Sequence, residues 1–144
     1  MPGRLRDKVA IVVGGGSTPG AALGNGRATA LLFAREGASV VVVDRDEASA
    51  AETQGQIAAE GGKAIVVEAD VTRADACARM AAEAVRRYGR IDILHNNVGI
   101  GVIGGPVELS EADWQRVIGT NLTSMFLTCK GVLPQMEALY ASSG

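Results

Sequence analysis

KVAIVVGGGSTPGAALGNGRATALLFAREGASVVVVD, residues Lys8 to Asp44, is the stretch whose reading decides the fold. Val9 to Val13 is a short, nearly continuous β-branched run, which suits a strand covered on both faces and therefore a parallel sheet. Glycines follow at once, at positions 14, 15, 16, 20, 24 and 26. Without a Cβ they let a phosphate approach the backbone, and they accept the φ > 0 conformations of a tight strand-to-helix turn. Arg27 to Arg35 reads as the helix that opens there, and the free N–H groups and positive dipole end of such a helix make the turn an anion site. Val40 to Val43 is a second apolar strand, and Asp44 ends it.

That terminal acid narrows the choice of anion. A carboxylate there accepts hydrogen bonds from both hydroxyls of a ribose and repels a 2′-phosphate, so Asp44 favours NAD over NADP. Arg45, one step on, is able to accommodate part of a 2′-phosphate, which keeps NADP as the less favoured alternative. A glycine cluster alone also reads as a flexible surface loop. Here strand, turn, helix, strand and acid arrive in order, which favours nucleotide binding.

The 144 residues suit a single domain, 1–144, large enough to bury about two thirds of the surface its unfolded chain exposes. A net charge of −2 with acids and bases interspersed, and only 3% aromatic residues, offer neither a basic stripe nor a stacking platform, which argues against nucleic acid as a partner. No apolar run approaches the ~20 residues of a membrane span, and Met1 to Lys8 carries charges but no apolar signal core, so the expected location is the cytoplasm. Cys77 and Cys129 fall at apolar positions of expected helices, with no CxxC and no histidine cluster. They read as buried reduced thiols, with no metal site.

Downstream the alternation repeats. Asp46 is placed to cap a helix over Glu47–Glu60, stopped by Gly61 and Gly62. Lys63 to Ala69 runs apolar and closes on Asp70, again a strand ending on an acid. Thr72 with Asp75 resembles a capping box, and Cys77, Ala81, Ala84, Val85 and Tyr88 recur at helical spacing up to Gly89. Ile91, Ile93 and Leu94 make a fourth strand, which passes into a polar turn from His95 to Gly99, and residues 100–109 are a glycine-rich loop. Ser110 with Asp113 starts a long helix, with Trp114 as a packing anchor and Pro134 as its expected stop. Its middle, Gly119, Thr120 and Asn121, is made of weak helix formers, where a kink or a functional polar group is tolerated. From Leu139 the tail is expected to fray. With right-handed crossovers the pattern gives an α/β, Rossmann-like, doubly wound parallel sheet with helices on both faces. Its strand order is 3-2-1-4, with a ligand crevice where the order reverses between the first and fourth strands.

From about Leu5 to Met136 the chain resembles the short-chain dehydrogenases/reductases, which bind NAD(P) on a Rossmann fold and move a hydride between an alcohol and a carbonyl. The glycine turn resembles the family's TGxxxGxG, Asp70-Val71 its adenine-contacting Asp-Val, Asn96-Asn97-Val98-Gly99 its NNAG, and Asn121 its helix asparagine. The resemblance implies cofactor contacts at Gly14, Gly16, Ser17, Gly24, Asn25 and Gly26 in the turn, beside Asp44 and Arg45. It implies that Asp70 accepts from the adenine amino group while the Val71 backbone meets the ring, and that Asn97, Val98 and Gly99 lie beside the adenosine ribose. Asn121 takes the family's catalytic part of holding a water in a proton relay, for which an amide suits because it donates and accepts. His95 is a strand-end residue with no assigned chemistry.

Two departures from the family pattern stand out. The turn fits from Gly14 with residues 18–23 as an insertion before Gly24, or from Gly20 followed by Gly24 and Gly26; both registers put Gly24 and Gly26 at the helix entrance. The family's threonine before the first glycine is Val13 in one register and Pro19 in the other. The family's catalytic serine, and its tyrosine with a lysine four positions later, have no counterpart: Tyr140 is followed at that spacing by Gly144, and no lysine follows Lys130. The fold is thus expected to be truncated after the fourth strand and its following helix, leaving an apolar strand edge that favours poor solubility or a homo-oligomer. Two functions remain open. One is an NAD(P)-dependent oxidoreductase interconverting a secondary alcohol and a ketone; the other is a non-catalytic dinucleotide-binding module or inactive truncated product.

Overall fold

The computed structural model describes residues 3–20 and 22–143. Strand β1 (Val9–Val13) is followed by helix α1 (Asn25–Arg35), β2 (Ser39–Asp44), α2 (Glu47–Ala59), β3 (Lys63–Glu68), α3 (Ala74–Tyr88) and β4 (Ile93–Asn96). Helix α4 (Glu111–Ile118), a π-helical turn (Gly119–Thr123) and α5 (Ser124–Ser142) then run on from one another. The four strands lie in the order β3-β2-β1-β4, all parallel. Register brings Val13 beside both Val43 and Asn96, and Asp44 beside Glu68, so the strands end level and their carboxyl ends share one rim.

The valine runs of β1 and β2 form central strands because they tolerate burial on both faces. Alternate residues serve opposite layers. Ile11, Val13, Val41 and Val43 pack with Cys77, Met80, Ala81 and Val132 under α3 and α5, while Val12, Val40 and Val42 pack with Ala30, Leu31 and Ile57 under α1 and α2. Burying each valine contributes about 1.5–3 kcal/mol, so this central pair anchors the sheet. On α3 the small residues Ala76, Cys77, Ala81 and Ala84 form the buried face, and α5 approaches so closely that a Cβ at Gly131 would lie 2.9 Å from the Cys77 carbonyl oxygen. Among the described residues no helix is long and apolar enough to cross a membrane.

Several local expectations are corrected. Pro134 does not end the last helix, which continues to Ser142. Val132 is fully buried and Met136 packs on the same core, so contacts on either side carry the helix past one missing N–H on the exposed face. The residues from Leu139 do not fray, since Leu139–Ser142 are helical and the Ser142 and Ser143 hydroxyls donate to the Leu139 carbonyl; Gly144 lies outside the described residues. No capping box forms at Thr72. The cap position is Arg73, without a side-chain bond, and the Thr72 hydroxyl donates to Asp70 instead. His95 and Asn96 belong to β4 rather than to the turn after it: His95 packs edge-on against Phe33 with ring centroids 6.2 Å apart, and Asn96 Oδ1 accepts from Thr128. Trp114 is 56% exposed rather than buried as a packing anchor, and Cys129 is only half-buried, whereas Cys77 is fully buried. Asp46 does cap α2, through the Ser49 amide, and Ser110 caps α4, through the Asp113 amide.

Candidate functional site

Three chain segments converge where β1 ends. Gly14, at φ +74°, turns the chain out of the strand, and its amide and that of Gly15 both donate to the Val43 carbonyl. Gly26, in the first turn of α1, sits so close to this turn that a Cβ there would lie 1.8 Å from the Gly14 carbonyl oxygen and 2.8 Å from Asn97 Nδ2. Asn97, just past β4, reaches the same carbonyl with its side-chain amide at 3.5 Å. Only a glycine at 26 allows helix, turn and fourth strand to meet, the close helix–strand contact that a dinucleotide turn requires.

This contact settles the register of the loop. Among the described residues nothing stands within 4 Å of the Cβ position of Gly20, at φ +148°, whereas Gly14 is the residue under Gly26. Residues 18–23 are therefore an insertion, and Ser17 closes its neck: the Gly24 amide donates to Ser17 Oγ at 3.0 Å. Gly24 is the N-cap of α1 and offers no side-chain cap, and no acid stands in the first turn, so the positive end of the helix is left for an outside anion.

At the end of β2 the Asp44 carboxylate faces this turn. Oδ2 accepts from the Gly16 amide at 3.0 Å and Oδ1 from the Asp46 amide at 3.1 Å, which fixes the group in place with lone pairs to spare. At the end of β3, Asp70 Oδ1 accepts from both the Thr72 hydroxyl and its amide. Those two bonds, the hydroxyl first, hold the Asp70 carboxyl below the ordinary aspartate range, with Arg45 and Arg73 adding to the effect.

A cleft of about 470 Å³ runs along this rim, from the α1 N-terminus past Asp44 to Asp70 and Val71, with Asn97, Val98 and Gly99 on its far wall. Its size is that of a small-molecule site, ~300–1,000 Å³. Of the residues singled out in the sequence, Asn25 and Asn121 do not line it. Asn121 lies in the π-helical turn, as the run of weak helix formers suggested, but its amide is engaged. Oδ1 accepts from the Ile100 amide and Nδ2 donates to the Ile100 carbonyl, both at 2.8 Å. One donor and one acceptor of this amide thus hold the loop after β4, which still leaves one N–H and one lone pair for the water that the resemblance implies.

Ser49 also lines the cleft, with Thr53 and Arg27 behind it, and none of the three was singled out in the sequence. Ser49 Oγ accepts from the Ser17 amide and donates to the Ser17 carbonyl, and Thr53 Oγ1 donates to the Gly15 carbonyl. The available signal was Ser49, Thr53 and Ile57 at four-residue intervals in an alanine-rich helix, one face of α2 turned to the sheet.

The family model for short chain dehydrogenases matches residues 8–144. A 3beta-hydroxysteroid dehydrogenase of Mediterraneibacter gnavus is 37% identical over 94% of this chain and 47% of its own length. Among solved structures, a short-chain dehydrogenase/reductase from Burkholderia xenovorans is 50% identical with a TM-score of 0.91, over 95% of this chain and 54% of that one. A metagenomic short-chain oxidoreductase in complex with NADP is 33% identical with a TM-score of 0.84, over 94% and 59%. The chain thus spans about half the length of the relatives it matches. With its parallel sheet, its glycine turn against the fourth strand and its strand-end acids, the chain belongs to the short-chain dehydrogenase/reductase family of nicotinamide-dinucleotide oxidoreductases.

Proposed function

We propose that the cleft binds NAD in preference to NADP, and that the protein works as an oxidoreductase interconverting a secondary alcohol and a ketone. The observation that carries the cofactor choice is the Asp44 carboxylate, pinned by the Gly16 and Asp46 amides so that it cannot swing aside for a 2′-phosphate. In this reading the diphosphate lies on the Gly24–Gly26 turn and the α1 N-terminus, with Gly14, Gly16 and Ser17 shaping its seat and Asn25 in the helix's first turn. Asp44 takes the ribose hydroxyls, and Asp70 with the Val71 backbone takes the adenine. Asn97, Val98 and Gly99 form the wall beside the ribose, and Arg45 stays at the rim. The residues present fit such a group, because the crowded Gly14–Gly26 contact and the Gly16 amide on Asp44 leave backbone where side chains would otherwise stand.

When bound, the nicotinamide supplies or accepts a hydride. This chain's own residues bind and orient: helix end and amides take the diphosphate, strand-end acids take sugar and base, and Asn121 fixes the Ile100 backbone next to Gly99. A secondary alcohol is the substrate class by family, and the hydroxysteroid dehydrogenase among the relatives is in keeping with it.

Isothermal titration tests the cofactor reading. NAD should bind at least about tenfold more tightly than NADP, and Asp44→Ala should bring the two together by weakening NAD. NADP binding as tightly as NAD to the parent chain overturns the preference. Nicotinamide absorbance over a panel of secondary alcohols tests turnover, and binding with no turnover returns the non-catalytic module.

A further inference from the structure

Arg27 is the single charged side chain in the first turn of α1, where a cation reads as a partner for diphosphate. Its guanidinium turns the other way. Arg27 is 8% exposed, does not line the cleft, and is spent on α2: Nε donates to Thr53 Oγ1 at 2.9 Å, and Nη2 to the Ser49 carbonyl at 3.0 Å and to Glu52 at 2.9 Å.

We propose that Arg27 is a positioning residue that aims the glycine turn from behind, through Thr53 and Ser49, and so sets affinity for the diphosphate and ribose without touching either. The proposal rests on the dinucleotide reading above. Its core is the direction of the protons. A guanidinium only donates, so Thr53 Oγ1 must accept from it, and the single hydroxyl proton of this fully buried threonine has two acceptors in reach, of which the Gly15 carbonyl at 2.8 Å is nearer than the Ser49 carbonyl at 3.4 Å. Ser49, whose carbonyl the same guanidinium holds, grips Ser17 at both backbone atoms, with 2.7 Å to the amide and 2.9 Å to the carbonyl. Gly15 and Ser17 are thus fixed on either side of Gly16, whose amide holds Asp44, while Ser17 Oγ holds the Gly24 amide. The seats for ribose and diphosphate hang on one tripeptide, and Arg27 fixes both of its ends.

Thr53→Val keeps the shape and removes the relay, Arg27→Met removes its source, and Arg27→Lys returns one donor. Ile57→Ala, on the same helix but in the apolar core, is the control for lost stability alone. Titrated below their melting temperatures, Thr53→Val and Arg27→Met should bind NAD and ADP-ribose about tenfold more weakly, with adenine unchanged and Arg27→Lys in between. Ile57→Ala should melt earlier and bind NAD as the parent does. Unchanged NAD affinity in Thr53→Val and Arg27→Met, or an equal loss in Ile57→Ala, overturns the proposal. Should the parent chain not bind NAD, the dinucleotide reading falls. Amide exchange at Gly16 and Ser17 then decides the positioning: acceleration in Thr53→Val and Arg27→Met but not in Ile57→Ala upholds it, and unchanged protection overturns it.

Discussion

Replacing Gly26 by alanine probes the contact on which the site is built. The added Cβ would stand 1.8 Å from the Gly14 carbonyl oxygen and 2.8 Å from both its carbon and Asn97 Nδ2. No rotamer relieves this, because the nearest obstacle is backbone, and α1 must retreat by more than about 1 Å from β1 before the contact becomes tolerable. Overpacking of this kind costs about 1–3 kcal/mol, and an immovable neighbour puts Gly26→Ala at the upper end. For a domain of this size each kcal/mol moves Tm by roughly 2–4 °C, so a fall of about 6–12 °C is expected. The retreat also withdraws the α1 N-terminus from Asn97, so NAD binding should be lost with it. Gly55→Ala is the matched control: it too lies inside a helix, but nothing stands within 4 Å of its Cβ position. There alanine should stabilise by about 0.5–1 kcal/mol through helix propensity alone, raising Tm by a few degrees. Circular-dichroism melts of both variants, with NAD titration below the transition, make the measurement. A Gly26→Ala protein that melts with the parent refutes the close-contact reasoning outright.

Two further outcomes follow from other parts of the molecule. At the opposite end of the sheet Asp92 accepts from the Val9 amide and from Arg90; burial pushes its carboxyl up, and Arg90, the Val9 amide and Lys8 more than offset that, leaving it below the ordinary 3.8. A carboxyl depressed on folding contributes stability that is complete above its unfolded value and is lost as pH falls through the folded one, so Tm should drop below about pH 4 and Asp92→Asn should flatten that limb. Superimposable acid limbs for the two proteins would count against it. Excising residues 18–23 and joining Ser17 to Gly24 should leave a folded chain with a cooperative melt, since Gly24 already bonds to Ser17 Oγ and its Cβ position is 3.5 Å from the Ser17 Cα. Loss of the melt would show that the insertion holds the turn together.

What was legible in the sequence is what neighbours along the chain decide. Val9–Val13 and Ser39–Asp44 announced central parallel strands because two-sided burial leaves an unbroken apolar run, and strand order followed from crossover handedness. Gly61 and Gly89 marked helix ends because both lie in the left-handed region there. Pro134 misled for a related reason: a local rule prices the missing N–H but not the burial of Val132 and the packing of Met136 on the core. The glycine turn shows the same limit more sharply. Two registers were open, one from Gly20 at the family's own spacing and one from Gly14 with an insertion, and what separates them is a contact between Gly14 and Gly26 together with a bond from Ser17 to Gly24 that closes the neck of the insertion.

Polar side chains carry this furthest, because hydrophobic periodicity reports that a residue is buried and says nothing of which distant group receives its proton. Thr53 bonds a carbonyl 38 positions away, Arg27 bonds Thr53 across 26, and Asn121 holds Ile100 across 21. For Asn121 the sequence identified both the place and the residue type, but it gave no sign that the amide also holds the Ile100 backbone. A buried amide takes whichever donor and acceptor the fold presents at hydrogen-bonding distance, and here the loop leaving β4 presents both from one residue. The irregular π-helical turn is what brings Asn121 to that residue: an i→i+5 turn shifts the side chains that follow it around the helix axis relative to an α-helix. The weak helix formers at Gly119, Thr120 and Asn121 therefore act on the site through geometry, by setting where the wall at Gly99 and Ile100 stands, before any chemistry of the amide itself is reached.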